Sequence, residues 1–362
     1  MNLLAETLRQ IEPQDSASRA AAHARLEQLT MPYWALGRIL DLAEDLAGMT
    51  RSLHPPVARK TVVTMAGDHG VTAEGVSAYP AEVTLQMVHN FVNGGAAINV
   101  LARVAGARTV VVDMGVAADL SPLAASGRIV SKRIGSGTRN FAPETALETA
   151  PPTAMSREQA IQAVESGIEV ARELAANTDL YATGDMGIGN TTPSSAIVAV
   201  LSGCPVEQVT GRGTGIGDES FRRKVAVVKR ALAVHRPDPN DALDVLAKVG
   251  GFEIGGIAGL ILGAASLHKP VLVDGFISTA GALLAHRLEP KSADYTIAAH
   301  QSQEPGHRIA LQRLQKKPLL DLDLRLGEGT GAALAMPLVE AAVRILTEMA
   351  TFDEASVSKA ET

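Results

Sequence analysis

Apolar positions along the chain fall into two textures. Near the start, Leu3, Leu4, Leu8 and Ile11 recur on one face at helical spacing. Two further helices are expected near 16–29 and 33–47, so that Asn2 to Met49 reads as helical. The segment 51–56, with two prolines, reads as a linker or domain edge. Beyond it come short β-branched runs. Each ends in a turn rich in Gly, Asp, Ser or His, and each is followed by a helical pattern.

The first two runs are "KTVVTMAGDHGV" and "ARTVVVDMGV", with a helix expected from about Glu82 to Ala105 between them. Residues 117–150 are mixed polar and glycine, and "RIVSKRIGSGTRNF" within them reads as a hairpin or excursion. The helix expected at 156–176 opens with a capping pattern, Ser156 followed by Glu158 and Gln159. "DLYATGDMGIGNTTPSSA", "KPVLVDGFISTAGALLAH" and "DYTIAAHQSQEPGH" supply three more strand–turn–helix units. The apolar run 319–326 supplies the sixth strand. Residues 254–267 read as a buried helix too short to span a bilayer. Six runs alternating with helices predict an α/β fold: a Rossmann-like, mostly parallel six-stranded sheet with flanking helices. There is no tandem repeat, and the tail "TFDEASVSKAET" is expected to fray.

Composition narrows the function classes. A chain of 362 residues with 46% hydrophobic and 20% charged residues can bury a large core and a smaller one. Aromatic residues make up only 3% and the net charge is -6, which argues against nucleic acid as a partner. The single cysteine, Cys204, excludes an intrachain disulfide and a thiolate metal cluster, and fits a reducing compartment. The opening "MNLLAETLRQIEPQDS" carries early acids and no apolar core, so it does not read as a signal peptide. A cytoplasmic protein without membrane contact is expected.

The chemistry gathers in three turns. In "LRLGEGTGAALAM" one carboxylate, Glu328, stands between Gly327 and Gly329 where a strand run gives way to a helix. Ligands of open parallel sheets bind beyond the carboxyl ends of the strands, and a lone acid there suits a general base. The plainer alternative is that Glu328 caps the helix. The turn 184–192 holds Gly184, Gly187 and Gly189, then Asn190, Thr191 and Thr192, a credible anion cradle. The turn 211–217 alternates glycines with Arg212, and Lys224, one to two turns into the next helix, is placed to neutralise a phosphate.

Other chemistries fit less well. No Gly-Lys-Ser/Thr completes a Walker loop, and no Gly-x-Ser-x-Gly elbow supports a hydrolase. Gly327, Gly329 and Ala332 loosely match a dinucleotide fingerprint, but no acid-ended strand follows, so a nicotinamide-dependent dehydrogenase is the poorer reading. Asp68 and His69 lack a second histidine at ligand spacing, and Asp68 reads as a turn acid. His300 reads as a hydrogen-bonding residue at a strand end, and Cys204 as a small apolar residue near a helix end. A nucleotide-binding sensor without turnover remains the non-enzyme alternative.

"GDHGV", "GVSAYPAEVTLQMVHNFVNGGAAINVLA", "GDMGIGNTTPSSA", "GRGTGI", "DGFISTAGAL" and "LRLGEGTGAALAMPLVEAA" occur in this order over nearly the whole chain. Together they closely resemble the nicotinate-nucleotide:dimethylbenzimidazole phosphoribosyltransferase family. The resemblance implies transfer of the 5-phosphoribosyl group of nicotinate mononucleotide to 5,6-dimethylbenzimidazole, giving α-ribazole 5′-phosphate and nicotinate with inversion. It implies no metal and no redox cofactor. Glu328 falls at the family's catalytic base and Gln86 at its benzimidazole-contacting glutamine. Ser77, Tyr79 and Leu326 belong to the same base pocket. Asp185, Gly187, Gly189, Asn190, Thr191, Gly213 and Lys224 fall in the ribose, phosphate and nicotinate region. Asp185 departs from the glutamate expected there and is one methylene shorter. The resemblance also implies a homodimer and a small helical domain built from both termini (1–55 with 335–362) beside a large catalytic domain (56–334).

Overall fold

The computed structural model, which describes residues 3–144 and 152–359, is centred on six parallel strands. They are Lys60–Gly67 (β1), Ala107–Gly115 (β2), Val130–Ser131 (β3), Leu180–Met186 (β4), Val271–Val273 (β5) and Thr296–Ala298 (β6). In space they lie in the order β3-β2-β1-β4-β5-β6. The chain builds outward from β1 in one direction, then returns to lay β4 against the other side of β1. That reversal opens a crevice beyond the carboxyl ends of β1 and β4, where open α/β sheets bind ligands. The register places Thr64 beside Gly184 and Met65 beside Asp185 at the lip of the crevice.

β1 is buried from Thr61 to its end because helices cover both faces of the sheet, so its sequence is a continuous apolar run rather than an alternating one. On one face the helix Phe252–Ser266 is buried almost all round, as its uniformly apolar sequence requires. Its glycines let it meet the helix Arg157–Leu174 backbone to backbone: a Cβ at Gly259 would lie 1.9 Å from the carbonyl oxygen of Val164. On the other face lies the helix Thr330–Glu348. This helix is long and apolar enough to cross a bilayer, but its apolar stripe packs on the sheet and on the helix Arg38–Thr50.

The helices Ser16–Leu26 and Arg38–Thr50 pack together and against Thr330–Glu348. Arg25 Nε donates to the carbonyl of Leu346 at 2.7 Å, and Leu29 bridges to Thr351. The two ends of the chain are thereby tied to each other. The expected boundary at 334–335 falls inside the single helix Thr330–Glu348, which runs from the crevice to the N-terminal helices.

The structure corrects three expectations. The sixth strand is Val130–Ser131, within the segment read as a hairpin or excursion, and not the run 319–326. Only Leu320–Asp321 of that run is extended (β8), and it pairs with His300–Gln301 (β7) in a separate two-stranded sheet. The remainder follows the rim of the crevice with Leu322 and Leu326 exposed. The helix expected over 82–105 is two helices, Val83–Asn93 and Ala97–Val104, because Gly94 takes a left-handed φ of +78° and ends the first. The tail does not simply fray, since Phe352–Ala355 forms a turn of helix behind a Thr351–Glu354 capping box. Of the segments read from sequence, Asn2, 145–150 and 360–362 lie outside the described residues.

Candidate active site

Turns after β1, β4, β5 and β6 and the rim segment after β8 enclose a cavity of about 810 Å³. Ten of the twelve residues singled out in the sequence line it: Ser77, Tyr79, Asp185, Gly187, Gly189, Asn190, Thr191, Gly213, Leu326 and Glu328. Two do not. Lys224 lies behind the wall, wholly buried, and Gln86 is exposed on the helix Val83–Asn93, whose Val83 and Met87 face the cavity instead.

Glu328 sits on an unusual piece of backbone. Gly327, Glu328 and Gly329 all have left-handed φ, at +83°, +63° and +98°. A glutamate in that region is strained and persists only where the surroundings fix it. Here Thr64 Oγ1 donates to the carbonyl of Glu328 at 3.1 Å. The amides of Gly329 and Ala332 donate to the carboxylate of Asp274, at 3.1 and 2.9 Å. Gly184 supplies the space, because a Cβ there would lie 2.3 Å from the carbonyl oxygen of Glu328. The acid is thus clamped by β1, β4 and the end of β5.

The Glu328 side chain is almost wholly buried, and its Oε2 accepts from the amide of Ile98 at 3.3 Å, in the first turn of the helix Ala97–Val104. Burial raises its pKa above the ordinary glutamate value, and the Ile98 amide opposes that rise. The result is an acid that takes up a proton more readily than an exposed glutamate.

Two further carboxyls lie close by. Burial pushes Asp274 up to about 7, against the pull of the amides it accepts from. Asp185 is raised well above the usual range by burial and by the charge of Asp274, with Glu253 and Glu328 adding to it. Asn190 Nδ2 donates to Asp185 Oδ2 at 3.0 Å, and Asp185 Oδ1 has no partner. Asn190 is also the cap of the helix Thr191–Ser202, whose positive end faces the cavity.

Lys224 Nζ donates to Thr191 Oγ1 at 2.7 Å and to the carbonyl of Gly211 at 3.1 Å. It joins the two glycine turns from behind. Burial lowers its pKa to about 8, with the charge of Glu304 opposing. Asp68 and His69 serve the scaffold: Asp68 accepts from the amide of Ala117, and His69 Nε2 lies 2.8 Å from Glu253 Oε1, both side chains fully buried. Among the described residues, no group of three or more His, Cys, Asp or Glu side chains is arranged to hold a metal ion.

A family model described as phosphoribosyltransferase matches residues 11–357. The nicotinate-nucleotide–dimethylbenzimidazole phosphoribosyltransferase of Syntrophotalea carbinolica is 64% identical over 359 residues, 99% of each chain. The chain belongs to the nicotinate-nucleotide–dimethylbenzimidazole phosphoribosyltransferase family. The enzyme of that name from Desulfotalea psychrophila is 55% identical over the full length of both chains. The crystal structure of CobT from Thermus thermophilus superposes with a TM-score of 0.88 at 48% identity, covering 95% of this chain and all of the other. The fold and crevice are therefore those of the family.

Sequence reasoning missed part of the wall. Gly275, Phe276 and Ile277 after β5, and His300, Ser302 and Glu304 after β6, all line the cavity. Arg325 lines it too, from the exposed rim. The polar turns after these strand runs were a sufficient signal for position, since every such turn reaches the same edge. Nothing in their spacing marked Glu304 as a buried acid.

Proposed function

We propose that this chain transfers the 5-phosphoribosyl group of nicotinate mononucleotide to 5,6-dimethylbenzimidazole, with Glu328 as the proton acceptor. The observation that carries this reading is the buried carboxylate of Glu328, clamped on a strained turn at the crevice of a sheet of this family. One ring nitrogen of the azole attacks the anomeric carbon while nicotinate leaves from the opposite face, which turns a β into an α glycosidic bond. Nicotinate departs from a positively charged ring nitrogen, so its departure needs no general acid. The other azole nitrogen gives up its proton to Glu328. One base and correct placement supply the chemistry.

The polar wall suits the mononucleotide. The glycine turns around Gly187, Gly189 and Gly213, with Thr191 and the positive helix end beside it, accept the ribose phosphate, and Lys224 lends them charge from behind. The apolar wall, with Tyr79 and Leu326 more than half exposed at the mouth, suits the benzimidazole and a second copy of the chain. Gln86 lies outside the cavity wall, on the exposed side of the helix whose Val83 and Met87 line it. We take the working form to be a cytoplasmic homodimer in which residues 1–55 and 335–362 form a helical unit; a monomeric sedimentation profile at assay concentration would exclude the pairing.

The test is direct. The protein is incubated with both substrates, nicotinate release is followed by chromatography, and the anomeric configuration of the product is read by NMR. Stoichiometric nicotinate and an α product are expected. Glu328→Gln should fold and bind both substrates but lose about 10²- to 10⁴-fold in kcat. No nicotinate release by the wild type, or full activity of the variant, would overturn the reading.

A further inference from the structure

Glu304 is the buried acid of the cavity that the proposed chemistry leaves unused. It lies beyond β7, immediately before the helix Pro305–Arg313, and is 9% exposed. Its Oε1 accepts from the amide of Gly213 at 2.8 Å. Its Oε2 is shielded from solvent and has no hydrogen-bond partner. A buried carboxylate oxygen without a donor is costly, and such a group points to a partner that arrives later.

The neighbours define what that partner can be. Glu304 lies against the turn that carries Gly211 and Gly213, the turn that Lys224 ties to Thr191. There is no room for another side chain between them, since a Cβ at Gly211 would lie 1.9 Å from Glu304 Oε2. The charge of Glu304 acts on Lys224, yet no ion pair forms between the two. Glu304 lines the sugar-phosphate end of the cavity, and its free oxygen is a pure acceptor. It accepts from a hydroxyl. The only neutral donors that a phosphoribosyl group brings are its two ring hydroxyls.

Resting on the function proposed above, we infer that Glu304 accepts a hydrogen bond from the 2′- or 3′-hydroxyl of the mononucleotide, and so selects a ribosyl over a deoxyribosyl donor. A site built to bond a substrate hydroxyl rejects the analogue that lacks it, because the buried acceptor is then left unpaired. Glu304 is set in the wall shared with a neighbouring cavity of about 650 Å³.

The experiment compares kcat/KM for nicotinate mononucleotide with kcat/KM for its 2′-deoxy and 3′-deoxy analogues, in the wild type and in Glu304→Gln. The wild type should prefer the ribosyl substrate over at least one analogue by about 10- to 100-fold, the range for a hydrogen bond to a charged group. In Glu304→Gln that preference should fall to within a few-fold of unity, with the KM for dimethylbenzimidazole unchanged. The preference is a ratio within each variant, so it does not depend on how much of the preparation is folded. Glu304→Asp serves as the second variant if Glu304→Gln cannot be purified, and it should likewise weaken the preference. Unchanged preferences for both analogues would overturn the inference, as would an equal loss of rate with every mononucleotide, which would mark Glu304 as a proton acceptor or a scaffold residue. Failure of the wild type to release nicotinate at all is a different result, and would remove the proposed function instead.

Discussion

Gly184→Ala tests the seat of the proposed base without touching the base itself. Gly184 lies on β4 beside Thr64 of β1. A Cβ at that position would stand 2.3 Å from the carbonyl oxygen of Glu328, 2.7 Å from its carbonyl carbon and 2.9 Å from Thr64 Oγ1. Strand β4 is held between β1 and β5 and cannot yield, so the 327–329 segment must withdraw. Ordinary contact requires a retreat of about 1 Å, with loss of the Thr64 hydrogen bond. A displacement of that size at a reacting group costs about 10²-fold in rate. Overpacking costs about 1–3 kcal/mol in stability, which a domain of this size tolerates. The assay is kcat at saturating concentrations of both substrates, beside a urea unfolding curve and equilibrium dialysis of dimethylbenzimidazole. We expect a folded protein that binds the base and turns over about 100-fold more slowly. A folded Gly184→Ala variant with the wild-type kcat would refute the claim that main-chain placement of Glu328 limits the reaction.

Two further outcomes follow from buried charges. Lys224→Ala should raise the KM for the mononucleotide more than the KM for the base, and equal effects on both would contradict a phosphate role. Lys224 keeps its charge below about pH 8, so the wild-type KM for the mononucleotide should climb as pH rises through that value, and the variant should lack the climb in steady-state profiles. Asp274 sits at about 7 in the folded protein against an ordinary 3.8. Between those values the native state holds a proton that the unfolded chain has released, so its burial erodes stability as pH rises from about 4 to about 7. Urea midpoints of Asp274→Asn should fall less steeply across that window than those of the wild type, and parallel profiles would refute the assignment.

Much of the architecture was legible because buried parallel strands and their turns announce themselves. β1 and β2 are β-branched runs and β4 is a buried one, and each ends in Gly and Asp. The sixth strand was not legible. Val130–Ser131 is two residues long and has no periodicity to detect, whereas "LLDLDLRL" alternates like a strand and is mostly a rim segment. Leu324 and Leu326 border the cavity while Leu319 and Leu320 pack against the core, and a pattern of apolar residues cannot distinguish a core from a site. The turns 184–192 and 211–217 were legible from their glycines. Glu304 was not, because its role arises from meeting Gly213 across 91 residues of chain.

The left-handed triplet around Glu328 has a bearing on how the molecule comes into being. Its supports are Thr64, Gly184 and Asp274, and the hydrogen bond to Thr64 spans 264 residues of sequence. None of these partners is a neighbour along the chain, so a nascent or partly collapsed polypeptide has no means of holding the strained turn. The strained turn is therefore held only once contacts of long sequence separation have closed. Catalytic competence and complete tertiary assembly arrive together, and a half-formed molecule offers no premature chemistry.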